Sequence, residues 1–226
     1  MLINPDIFIL GLRIQEPITT LTDVFVTIVC FYAVAQTQKK LKSGILRNYF
    51  SYYFLLMGLS TLFGGVCGHA FQYELGLIGK LPGWLISTAA ILFFALATIK
   101  LTSPLLSKNL RSALNALIIL ESVISFILIA KTHDLKYVQF HATFGLLLVS
   151  TSLHAIMAVK KLNEGSKYIL AGVGVSAVMA IIFNLQLAIS KWFNHMDIAH
   201  VLMGLTIMLF LKGVMRFNLM ESESVT

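Results

Sequence analysis

Charge is scarce in this sequence. Asp, Glu, Lys and Arg together make up 12% of its 226 residues, against 58% hydrophobic residues. A soluble domain of that length needs far more charge on its water-facing surface, so the composition excludes an ordinary soluble enzyme. The mean hydropathy of +0.85 points the same way. Cysteine is equally sparse. Cys30 and Cys67 both fall inside apolar stretches, which excludes a disulfide framework or a thiolate metal site and leaves them as small buried hydrophobes. Familiar catalytic signatures are missing: there is no CxxC pair, HExxH, GxSxG or glycine-rich phosphate loop. No lysine stands midway along the last apolar stretch, where Lys212 lies near the inner end, and this argues against a retinal Schiff base. The start, MLINPDIFILGLRIQEP, has no basic leader and only a short apolar part, so no cleavable signal peptide is expected. Its DIFILGL reads as a short interfacial helix.

What the chain does have is long apolar runs. Seven candidate spans are predicted: Pro17–Ala35, Tyr49–Phe71, Pro82–Leu101, Leu110–Ala130, Tyr137–Val159, Tyr168–Ser190 and Ile198–Gly213. A helix rises about 1.5 Å per residue, so such runs cross a hydrocarbon layer about 30 Å thick. The connections are short, with no linker and no repeat. The expectation is an all-α, polytopic membrane protein: one seven-helix domain over residues 1–226, embedded in the lipid bilayer.

The formal net charge of +7 does not mark a nucleic-acid binder, because the basic residues sit in short loops between apolar runs. Twelve of the 17 lysines and arginines fall in the first, third and fifth loops and at the C-terminal end. The positive-inside rule then predicts the N-terminus outside and the C-terminus in the cytoplasm. This orientation gathers the polar residues at one, outer, side.

Span one opens with EPITTLTD, where Glu16, Thr20, Asp23 and Thr27 share one helix face. Such a stripe turns inward, toward the bundle or a wet cavity. Span two ends in GGVCGHAF. Ser60, Gly64 and Gly68 form a small-residue seam, and His69 stands at its outer end. Span seven begins with WFNHMDIAH, where Asn194 suits an N-cap. Asp197 and His200, three apart, share a face. His195 joins them if the residues before Met196 are still loop. His69 and His200, with His195 or Asp197, then match a three-ligand zinc site with one open position. Glu16, His141, Asn184 and Gln186 are candidates to line the same cavity. Glu121, mid-span in the fourth run, is either a supporting acid or a packing polar group. His154, near the inner end of span five, reads as interfacial.

This pattern resembles the CREST superfamily, which includes the alkaline ceramidases and the progestin/adipoQ receptor-like membrane proteins. It looks closest to uncharacterised bacterial members carrying EPxTxxTD, GGxxH and NHxDxxH, over nearly the whole chain. The resemblance implies a seven-helix bundle, zinc held by three histidines, hydrolysis of a lipid amide or ester, and residence in a bacterial inner membrane. His69 matches the helix-two ligand and His200 one of the helix-seven pair. The family's HxxxH is absent, since Met196 and Gly204 flank His200 at that spacing, and Gly65 stands where the family has serine.

Two functions are therefore expected to compete. One is a zinc-dependent hydrolase with His69, His195 and His200 as ligands, Asp23 or Asp197 as base or orienter, and a lipid substrate. The other is a non-enzymatic receptor, transporter or complex subunit whose outer cavity binds a ligand or ion. Haem ligation by His69 and His141 is a distant third.

Overall fold

The computed structural model describes residues 4–217. Seven helices are long and apolar enough to cross a membrane: α1 (Pro17–Lys40), α2 (Ile45–Ala70), α3 (Gln72–Leu101), α4 (Lys108–Thr132), α5 (Leu135–Val159), α6 (Gly165–Asn184) and α7 (His195–Val214). They match the expected spans in number and order. Most ends differ by a few residues. Helix α3 starts earlier, because Gln72–Leu75 and a 3-10 turn over Gly76–Lys80 lead directly into Leu81–Leu101. Helix α6 stops at Asn184 rather than Ser190. Leu187 N–H reaches back to the Ile182 carbonyl, and Gln186 takes a left-handed φ of 53° that ends the helix.

The expected helix over DIFILGL is a β-hairpin instead. Strand β1 (Ile7–Ile9) pairs antiparallel with β2 (Leu12–Ile14). Its turn needs positive φ at both central residues, and Leu10 (52°) and Gly11 (83°) supply it. Phe8, Ile9 and Leu10 point outward. The Arg13 guanidinium pairs with Asp6 and lies over the Tyr73 ring, and Gln15 N–H donates to the Ala70 carbonyl. The Gln15 bond fastens the hairpin to the end of α2, and the Arg13 contact with Tyr73 to the start of α3.

The main core joins α1, α2, α3, α6 and α7 through Val26, Phe54, Phe94, Ile169 and Phe210. Phe94 stacks on Phe210 at 4.6 Å between ring centres, and Tyr53 tilts against both. A smaller cluster of Ala95, Ile99, Ile118, Val149 and Leu153 holds α4 and α5 against α3. Helix α4 is peripheral, with most of its apolar side chains turned outward. His154 is not interfacial. It is fully buried, bonded between Thr98 and Ser166, with its ring stacked on Phe217.

Two close approaches position the site. Ser60 donates to the Gly83 carbonyl at 2.8 Å, and a Cβ on Gly83 would lie 2.9 Å from the Ser60 carbonyl, so the small-residue seam packs α2 on α3. On the other side of α2, a Cβ on Gly65 would stand 2.8 Å from the Cβ of Asp23. A serine at Gly65 would therefore need the room that Asp23 occupies. Residues Gly64–Ala70 are π-helical, an irregularity that often accompanies function.

Candidate metal centre

Asp23, His69 and His200 come from α1, α2 and α7. Each offers one ligand atom, and these atoms lie within 4.8 Å of one another. His69 Nε2 is 3.8 Å from Asp23 Oδ2, and His200 Nε2 is 3.4 Å from Asp23 Oδ1. Asp23 and His69 are buried, and His200 is nearly so.

The opposite edge of each imidazole decides what these nitrogens carry. His69 Nδ1 lies 2.5 Å from Glu16 Oε2, and the carboxylate accepts its N–H. His200 Nδ1 lies 3.0 Å from Thr22 Oγ1. That hydroxyl already donates its one hydrogen to the Thr19 carbonyl at 2.9 Å, so it must accept from Nδ1–H. In a neutral ring the proton on Nδ1 leaves Nε2 as a bare lone pair. Both lone pairs then face the Asp23 carboxylate with no hydrogen between them. Three electron-rich atoms converging in a buried place are a set of donors suited to a cation.

Glu16 completes the arrangement. It is the left-handed N-cap before Pro17, with φ of 47°. Burial, the largest influence, pushes its pKa up, but the hydrogen bond from His69 and the nearby Lys80 ammonium bring it below the usual carboxylate value. Lys80 ends the 3-10 turn within α3, against Gly68. Neither Lys80 nor Thr22 stands out in the sequence: one reads as a loop charge and the other as a helical threonine.

The other expected site residues are placed differently. His195 is already helical, because Asn194 is the N-cap and its Oδ1 accepts Met196 N–H at 2.8 Å. It cannot swing onto the face of His200, which is about 140° away around the helix. Its ring packs on Phe183 instead. Asp197 accepts from Thr19 Oγ1 (2.7 Å), Asn194 N–H (2.7 Å) and Asn4 Nδ2 (3.2 Å). It is a knot between the N-terminal segment, α1 and α7. Asn184 is exposed at the end of α6, bonded to the Ala180 carbonyl. Glu121 and His141 pair with each other, and His141 Nε2–H donates to the Thr88 carbonyl.

A cavity of about 530 Å³ between α5, α6 and α7 reaches His200. Phe140, Thr143, Phe183, Asn184 and Met203 help to line it.

Residues 18–219 match the model of a family of unknown function, DUF6962, and the chain belongs to that family. No curated protein and no solved structure matches it.

The Nδ1 partners yield a first expected result. Glu16→Gln and Thr22→Val should each weaken metal binding by about 10- to 100-fold, as is usual when a ligand loses the group that orients it. Competition with a chelator during metal titration measures this. Unchanged affinity in both variants would remove the orienting role.

Proposed function

We propose that this chain is a metal-dependent membrane hydrolase acting on a lipid amide or ester, with zinc held by Asp23, His69 and His200. The observation that carries the reading is the pair of imidazoles whose Nδ1 atoms are committed elsewhere and whose Nε2 lone pairs converge on one carboxylate. Two histidines, a carboxylate and an open fourth position form a ligand set used by catalytic zinc sites. When bound, zinc supplies Lewis-acid polarisation of a carbonyl and a coordinated water acidic enough to ionise near neutral pH. The chain supplies the rest. Glu16 and Thr22 fix the two rings. Lys80 places a positive charge near the carboxylates, suited to a developing oxyanion. The cavity at His200 offers apolar walls to an acyl chain.

The second reading, a non-enzymatic protein that binds a ligand or ion, is favoured by one feature. Asp23 faces the imidazoles and Asp197 is fully bonded, which leaves no second carboxylate in the trio as a base. Metal analysis of detergent-purified protein, followed by assays on lipid amides and esters, separates the readings. Stoichiometric zinc with turnover supports the hydrolase. Zinc without turnover favours the second reading, and protein free of metal after reconstitution removes the zinc hydrolase.

The seven spans sit in this reading with the N-terminus and metal centre outside and the C-terminus in the cytoplasm, in a bacterial inner membrane. The basic residues concentrated at the other end support that orientation. In a Cys67→Ala background, a Ser43→Cys variant should react with a membrane-impermeant maleimide only after the cells are opened. Labelling in intact cells would reverse the topology.

A further inference from the structure

A second polar cluster lies away from the metal centre, between α3, α4 and α5. His141 Nε2–H donates to the Thr88 carbonyl at 3.0 Å, since a carbonyl can only accept. His141 Nδ1 meets Glu121 Oε2 at 2.7 Å, a contact that needs a hydrogen on one side or the other. Ser125 donates to Glu121 Oε1 at 2.7 Å. The imidazole is buried, but the Glu121 side chain keeps 11% of its surface open. That surface faces a groove of about 560 Å³ along the outward flank of α4. Leu117, Leu120, Ile124 and Leu128 form one wall and Phe140 the other, with Lys136 and Tyr137 also lining it.

A carboxyl at the floor of an apolar groove has a specific chemical meaning. Its two oxygens retain lone pairs after the bonds to His141 and Ser125, so the groove offers hydrogen-bond acceptance amid hydrocarbon walls. The volume falls within the range of small-molecule pockets, which combine apolar walls with a few polar anchors. In a bilayer this flank meets lipid. We propose that the groove is a second site, binding a single-chain membrane amphiphile whose head carries a hydroxyl or amine donor. The chain lies along α4 and the head donates to Glu121. This stands independently of the metal centre.

The test uses the full-length protein in phosphatidylcholine nanodiscs. Photoactivatable probes are a long-chain alcohol, the matching amine, and a methyl ester that lacks a donor. Crosslinks are mapped by mass spectrometry. Either donor-headed probe should label residues along the groove and be displaced by its unlabelled form, while the ester should not. Glu121→Leu should reduce displaceable labelling about tenfold, the usual scale for losing a hydrogen bond to a carboxyl. Ile124→Trp, which fills the groove but keeps the Glu121–His141 pair, should do the same, and it decides the matter if Glu121→Leu does not fold. Equal labelling by the ester, no labelling by either donor probe, or undiminished labelling in the folded variants would overturn the proposal and mark ordinary boundary lipid.

Discussion

Alanine at His69, His200 or Asp23 should strip the purified protein of bound metal, while His195→Ala should keep it. Losing one ligand of three costs on the order of a thousandfold in affinity, taking zinc-site binding energies as shared among the ligands. The contrast with His195 gives the experiment its force. All four residues sit at the same end of the bundle, and His195 is as buried as Asp23. General disturbance would affect them alike, whereas ligation separates them. Elemental analysis of detergent-purified variants, with melting curves in the same detergent, checks this. Metal retained in Asp23→Ala, or lost equally in His195→Ala, would sink the assignment of Asp23 as the third ligand.

The second large effect concerns stability. Asp197→Ala should lower the unfolding free energy by about 3 kcal/mol or more, because it strands several donors in a buried place at about 1–3 kcal/mol each. The donors are Thr19 Oγ1, Asn194 N–H and Asn4 Nδ2. Asp197→Asn, which keeps one acceptor oxygen, should recover part of the loss. Thermal unfolding in detergent reads the effect. A variant that melts like wild type but has lost hydrolysis would instead make Asp197 a catalytic base.

Much of the architecture was legible because hydropathy counts residues and the seven runs are long. The N-terminal hairpin was not. Its turn places Leu10 at positive φ, where Asn or Asp is the usual signal, so IFILGLRI reads as an apolar patch rather than as two strands. At the site, the one-face spacing of Glu16 and Asp23 was visible in the sequence, and so were His69 and His200 as polar residues at span ends. The choice between His195 and Asp23 was not visible. It depends on whether His195 lies inside α7 or in the loop before it, and an N-cap moves that start by residues that spacing alone leaves open. The pairing of Glu121 with His141 was hidden for a related reason. Each sits on its own helix, and only the rotation of α4 against α5 brings them together.

The latch of α7 against α1 and Asn4 has a consequence for biogenesis. Two of the three candidate ligands, Asp23 and His69, come from the first two helices, and His200 comes from the last. A chain still being synthesised has most of its membrane-spanning mass before the third ligand exists. The candidate centre is therefore complete only when α7 is in place, with Asn4 and Asp197 joining segments 193 residues apart. In the proposed reading, metal capture would then separate chains that hold α7 from chains that lack it.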